Sequence, residues 1–446
     1  MNENILNDSP LYRALLNHAE SGRASFHTPG HKGNCCFLPL IPSLDLTELP
    51  DTDSLFECDG CIREAEIRAA QLFGAEYTAI SSGGCTLAIQ GMISAFAGAG
   101  SKVIFGRNVH RSAVNASALL GIEPVWVMHK RDSGEGLPGR VYAEDIKRAV
   151  EDNPDASAVY ITSPDYYGCL SDVKAVSEVC KQHGIPLLVD NAHGTHLIAF
   201  GIHPITLGAS ASACSAHKTL PVLTGGAWLN CNDADVMDKI KPSMALFGST
   251  SPSYLIMASL DLARAWMEQD GINAFRTLAG RVAELRQLAL SAGFGLPEGE
   301  CDPVRLTLLT RPLGMTGDTA AEYFRHCGAE CEHSDGCAVV FIITPFNSEE
   351  DIECLRSAIE HFPKGKPIQK KIVVFDALPD VKMSPREAIL RPSKAVPTEA
   401  AEGRISAEAA CPCPPGVPVV MPGEEINEKC VNILLNTGIQ RINVIE

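Results

Sequence analysis

Between residues 102 and 189 the sequence alternates short apolar runs with helical patterns, and few folds accept that alternation. Residues 102–105, 123–127, 158–162 and 185–189 are strand-sized runs, each trailed by a helical segment. Strands that alternate with helices build a mostly parallel sheet covered on both faces. The predicted class is therefore α/β, with the sheet in a large domain. Residues 60–74 read as a helix entering that domain, and residues 1–50 as an arm with one short helix over 11–19. Residues 252–292 read as a long helical stretch broken near Gly271. Strands over 305–309 and 338–344, with helices over 319–326 and 351–361, make a second, smaller α/β unit, and Ser348 with Asp351 has the capping-box pattern. From Lys366 a third segment begins, with seven prolines between Pro392 and Pro422, which composition alone reads as a linker. The predicted divisions are an arm over 1–50, a large domain over 51–250, linker helices and a small domain over 251–365, and a C-terminal part over 366–446.

Composition excludes several functions. The 37 basic and 54 acidic residues leave a net charge of −17, the wrong sign for a general nucleic-acid binder. A cationic small molecule is permitted, since net charge steers approach and does not set chemistry. The start, MNENILNDSP, has neither the basic nor the apolar region of a signal peptide, and the apolar runs are far shorter than the roughly 20 residues that cross a bilayer. A cytoplasmic protein with no membrane partner is expected. The 17 cysteines are irregularly spaced and odd in number, so reduced, mostly buried thiols are expected. Cys58 and Cys61 form one CxxC pair and Cys411 and Cys413 one CxC pair, with no second pair at the spacing a zinc site needs, so no metal is predicted.

Four motifs carry chemistry. In SAHKTL, Lys218 follows a run of small residues, 208–216, that lets backbone approach a flat ligand, and it precedes an apolar segment that begins TGG. Partial desolvation there favours the neutral amine that reacts with carbonyls. In PLLVDNAHGTHL, Asp190 follows an apolar strand directly, where open α/β sheets bind ligands, and His193 lies three residues on. A carboxylate at that edge serves a metal, a ribose or a pyridine nitrogen, which it would keep protonated. In SSGGCTLAIQGMI, glycines and a hydroxyl precede an apolar helix, the pattern of an anion cradle, without the Gly-Lys-Ser/Thr of a Walker loop. In FGRNVHRSAVNA, His110 follows a strand and either stacks on a flat cofactor or is satisfied by the protein's own hydrogen bonds.

In chain order, FHTPGHK, TELPDTDSLFECDGCIREAE, the Gly-Cys-Thr loop, His110, TSPDYYG, VDNAHGTH, SAHKTL, TSPSYLIMASLD and GRISAEAACPCPPGVPVVMPGE resemble the bacterial ornithine/lysine/arginine decarboxylases, from about residue 10 to about 430. The resemblance implies a pyridoxal 5'-phosphate (PLP) enzyme of fold type I, with a small α/β domain and a folded C-terminal α+β domain that helps close the active site. It implies that Lys218 holds the cofactor covalently, that Asp190 pairs with its pyridine nitrogen and that His110 stacks on the ring. Gly84, Cys85 and Thr86 match the loop that holds the phosphate, and Ser215 and His217 match further phosphate contacts. His193 resembles the histidine that supports Asp190 or faces the substrate, and Lys218 or His193 returns a proton to the substrate carbon. The implied reaction converts arginine, lysine or ornithine to agmatine, cadaverine or putrescine and carbon dioxide, in a homodimer or higher homo-oligomer with shared sites. The chain begins almost at FHTPGHK, so a short form without the long members' N-terminal domain is expected.

This sequence departs from the family pattern at three points. Cys85 stands where a hydroxyl residue is usual, Cys413 where PYPPG has tyrosine, and Asp165 where threonine is common. Asp165 touches either substrate or solvent on this reading. Arg404 is a candidate partner for a carboxylate and Glu424 for a cationic side chain, each with a surface ion pair as the alternative. Two rivals share the same residues: another fold-type I reaction (an aminotransferase, aldolase or lyase) and a non-catalytic regulator that kept the fold.

Overall fold

The computed structural model describes residues 23–26, 46–49, 52–128, 137, 139–368, 377–411 and 418–446. The helix expected over 11–19, most of FHTPGHK and the Cys413 position lie outside them. The strands are β1 (Ala24–Phe26), β2 (Tyr77–Ser81), β3 (Lys102–Gly106), β4 (Glu123–Val127), β5 (Ala158–Thr162), β6 (Leu187–Asp190), β7 (Ala211–Cys214), β8 (Ala227–Cys231), β9 (Arg305–Leu309), β10 (Ala329–Cys331), β11 (His333–Ser334), β12 (Ala338–Ile342), β13 (Ser393–Pro397) and β14 (Arg441–Ile445).

The large sheet has seven strands in the order β2-β8-β7-β6-β5-β3-β4. Its pairings are parallel except those of β8, which runs antiparallel between β2 and β7. β2, β3, β5, β6 and β7 therefore all end on one edge of the sheet, and that edge carries the site. Apolar side chains leave both faces: Leu188 and Ala213 pack with the Gly84–Phe96 helix on one side, Val159 and Val189 with the Val173–His183 helix on the other. This is the α/β arrangement expected from the alternation, and the fold-type I sheet that the resemblance implies.

Several sequence expectations need adjustment. The fourth run begins at Leu187 and ends on Asp190, because Pro186 offers no N–H to the ladder. The small residues over 208–216 include β7, which is fully buried in the middle of the sheet, so their size serves packing between layers as well as access to the site. The stretch over 252–292 is not broken at Gly271. The helices Tyr254–Trp266 and Ile272–Ala292 run on through one π-helical turn, Met267–Gly271.

The smaller unit is a three-stranded sheet, β11-β12-β9, with antiparallel pairings, covered by the helices Gly317–His326 and Glu349–Glu360. Ser348 and Asp351 form the expected capping box. The proline-rich segment is folded in its described part: β13 pairs antiparallel with β14, and the Glu428–Asn436 helix closes a small apolar core of Val420, Ile426, Leu434 and Val444. This segment is tied to the large domain by a buried pair. Arg107 donates to both carboxylate oxygens of Glu424, at 2.6 and 2.7 Å, and to the backbone carbonyls of Pro418 and Val419. Glu424 is thus committed to Arg107, not to a substrate cation. Arg404 donates to the carbonyl of Ile445 at 2.8 Å, a role within the C-terminal part. No helix among the described residues is long and apolar enough to cross a membrane.

Candidate active site

A cavity of about 230 Å³ opens at the carboxyl edge of the sheet. All nine residues singled out from the motifs line it: Gly84, Cys85 and Thr86 after β2, His110 after β3, Asp190 and His193 at and after β6, and Ser215, His217 and Lys218 after β7. Strands that are neighbours in the sheet bring together residues far apart in sequence; in the ladder, Thr162 faces Asp190 and Asp190 faces Ala213.

The Gly84–Phe96 helix presents its first turn to this cavity. Gly84 adopts φ 73°, a left-handed conformation open to glycine, and its N–H donates to Gly225 O at 2.8 Å. The Cys85 and Thr86 amides that follow have no acceptor within the helix, which suits an anion. Cys85 itself is buried, and desolvation pushes its thiol well above the ordinary range, so it brings an amide and no thiolate.

Asp190 is buried at the end of β6, with Oδ1 accepting from the Ala192 amide at 3.0 Å and Oδ2 from the Tyr160 hydroxyl at 3.2 Å. Its support is therefore Tyr160, two residues from the end of β5, and not His193. His110 makes the protein's own hydrogen bond that one of its sequence readings expected. Its Nδ1 caps the Arg111–Leu120 helix by accepting from Ser112 N at 3.2 Å, while the ring lines the cavity. Ser215 Oγ and His217 Nδ1 are 3.2 Å apart on the same wall.

Lys218 Nζ lies 2.7 Å from His193 Nε2. On the far side of the imidazole, both terminal nitrogens of Arg305 approach Nδ1 at 3.3 Å. An arginine only donates, so Nδ1 accepts. In a neutral imidazole the proton then sits on Nε2, and Lys218 must receive it with a lone pair, as a neutral amine. Burial pushes Lys218 below the ordinary lysine range and His193 well below the ordinary histidine range, with the Arg305 charge acting in the same direction on both.

Arg305 was not visible as a site residue in the sequence. It is buried on β9, donates to the Tyr166 carbonyl at 3.0 Å, and lies 3.9 Å from Asp302, which in turn bonds His196 at 2.9 Å. Gly168, at φ 85°, leaves it room: a Cβ there would come within 2.8 Å of the Arg305 stem. Asp165 is settled as an interior residue. It is buried on the cavity wall, Oδ1 accepts from Cys169 N at 2.8 Å, and burial pushes its carboxyl up to about 6. Asn108 Oδ1 and Thr162 Oγ1, on two further lining residues, are buried without a hydrogen-bond partner among the described residues.

A scan against protein families matches residues 9–293 to the Orn/Lys/Arg decarboxylase major domain and 368–437 to the C-terminal domain of the same family. The chain belongs to the Orn/Lys/Arg decarboxylase family. Among curated relatives it is 31% identical to an arginine decarboxylase of Bacillus subtilis, over 96% of this chain and 93% of that one. It is 33% identical to the uncharacterized protein YaaO of the same organism, over 96% and 94%. A lysine decarboxylase of Escherichia coli is 24% identical and is covered over 76% of its length. Solved structures with the same fold include lysine decarboxylase A from Pseudomonas aeruginosa (TM-score 0.78, 20% identity, covering 100% of this chain and 81% of that one). As a member of the family, this chain is a PLP-dependent amino-acid decarboxylase.

Proposed function

We propose that this enzyme decarboxylates a basic amino acid, with arginine the preferred substrate and agmatine the product. The observation that carries the reading is the chain Arg305–His193–Lys218, which supplies a neutral, part-buried amine beside a carboxylate and an anion cradle. The preference for arginine rests on the arginine decarboxylases among the relatives, at 29–31% identity against 22–24% for the lysine enzymes. The cavity fits PLP by its donor set: an amine, a carboxylate, an imidazole and a helix N-terminus, with Asn108 Oδ1 and Thr162 Oγ1 unpartnered among the described residues. Lys218 would hold the cofactor's carbonyl carbon, Asp190 its pyridine nitrogen, and His110 the ring face. Gly84, Cys85, Thr86, Ser215 and His217 would hold its phosphate. When bound, the cofactor supplies a sink for the electrons left on the α-carbon as carbon dioxide departs.

The protein's own part is acid–base. Lys218 and His193 share one hydrogen bond, and either returns a proton to the substrate carbon. Arg305 keeps Nδ1 unprotonated, so the exchangeable proton stays on the Lys218 side. Asp165 adds a second carboxylate to the wall, and a guanidinium beside it would favour its ionised form. The division of the chain near residues 50, 250 and 365 belongs to the same reading: the seven-stranded, β11-β12-β9 and β13-β14 sheets each fall within one part, while the fourth sheet, β1-β10, joins the arm to the smaller unit. A homo-oligomer belongs to it too, for which Leu246 and Leu390, 71% and 64% exposed, offer apolar surface.

Two experiments test this reading. Carbon dioxide release from arginine, lysine and ornithine should give arginine a kcat/KM at least about tenfold above the others, a difference of about 1.4 kcal/mol in transition-state binding. A keto acid product, or a preference for lysine or ornithine, overturns it. Arg305→Met should raise the basicity of both His193 and Lys218. The acidic limb of cofactor attachment, followed by visible absorbance, should then move up by about one pH unit. An unmoved limb would remove Arg305 from the proton inventory.

A further inference from the structure

Cys169 and Cys301 face each other across an antiparallel bridge where the large domain meets the segment leading into β9. The flanking bonds run from Asp302 N to Gly168 O at 2.7 Å and from Leu170 N to Glu300 O at 3.0 Å. The two cysteines therefore occupy a non-hydrogen-bonded pair, where opposed Cα atoms lie about 4.5 Å apart. A disulfide needs about 4.4–6.8 Å, so the backbone is already at bridging distance. Both thiols are reduced; Cys169 is buried and Cys301 half-buried.

Their surroundings separate their roles. The hydrogen bond between the two thiols, with the charges of Arg140 and Arg286, holds Cys301 below the ordinary thiol range. Arg140 also donates to the carbonyl of Glu298 and stands against Gly299, which fixes it beside this turn. The same thiol–thiol bond and burial push Cys169 upward. A half-exposed thiol in a positive setting, with a second thiol behind it, is the arrangement of an attacking and a resolving cysteine.

We propose that Cys169 and Cys301 form a peroxide-sensitive thiol pair that closes a reversible disulfide. The Cys301 thiolate attacks one peroxide oxygen and breaks the O–O bond, giving a sulfenic acid and, after protonation, water. The Cys169 sulfur then displaces the sulfenic oxygen as a second water, and the S–S bond forms. Two thiols and one hydrogen peroxide become one disulfide and two waters, and a small thiol reverses the change by exchange. The bond would staple the loop carrying Asp165, Tyr166 and Tyr167, which line the cavity, to the segment that continues into Arg305.

The test is thiol mapping of the folded, cofactor-loaded enzyme after brief exposure to stoichiometric hydrogen peroxide, with remaining thiols blocked before digestion. The expected result is a linked peptide pair carrying residues 169 and 301 that separates on reduction. The thermal midpoint should rise by about 5 °C on oxidation, because the bond closes a long loop. In Cys301→Ser, a change at a half-buried position, both effects should vanish. Recovery of residues 169 and 301 as blocked thiols, or Cys301 as a sulfinic acid beside a blocked Cys169, overturns the proposal. So does a linked pair in Cys301→Ser that still includes Cys169.

Discussion

Lys218→Ala should lower decarboxylation by about four orders of magnitude and abolish the visible absorbance of the lysine-bound cofactor. The size follows from what the side chain does in this geometry. It sits in the cavity with Nζ 2.7 Å from the His193 imidazole, and burial holds its amine below the usual range. On the proposed reading, truncation removes the attachment point and one end of the proton-sharing pair together. Lys218→Arg should not rescue, because a guanidinium stays protonated and would face His193 as a donor. The check is a single-turnover assay with an absorbance scan. A variant that kept the band, or lost less than about tenfold in rate, would place the attachment elsewhere.

The second large effect is on stability. Arg107 and Glu424 are 0% and 1% exposed at their side chains and join in a bidentate pair. Glu424→Ala leaves a buried guanidinium without its counter-charge, and should cost about 3–5 kcal/mol. It also frees the Met421 amide, which donates to Glu424 at 2.7 Å. Denaturant unfolding should show the loss, and the double variant Arg107→Met/Glu424→Leu should recover part of it, since an apolar pair pays no charge-burial penalty. A loss under about 1 kcal/mol would mean that water reaches the guanidinium when the glutamate is gone.

The fold and the grouping of the candidate site residues were legible because both are written locally. Alternating runs announce a parallel sheet, and Gly84 to Thr86, Asp190 and Lys218 each sit where a strand or strand-loop signal ends. Tyr160 was hidden because an aromatic residue inside an apolar strand reads as core, and it is core as well as a partner of Asp190. Arg305 was hidden by distance. It meets His193 across 112 positions, and nothing in DPVRLTLL marks an arginine that sets a histidine tautomer. Glu424 stayed open between a substrate cation and a surface ion pair for the same reason: a carboxylate in a C-terminal motif gives no sign that Arg107, 317 positions earlier, claims it in a buried pair. The run 208–216 was over-read, since small residues serve a tightly packed central strand as well as a ligand.

The position of Arg305 has a consequence for how the site can be altered. The cradle, Asp190 and Lys218 all belong to the large sheet, whereas the charge that biases His193 arrives on β9. The proton balance of the Lys218–His193 pair is thus set by both parts of the chain together. Chimaeras between relatives should exchange the cradle and the stretch from Asp302 to Arg305 as one inheritance.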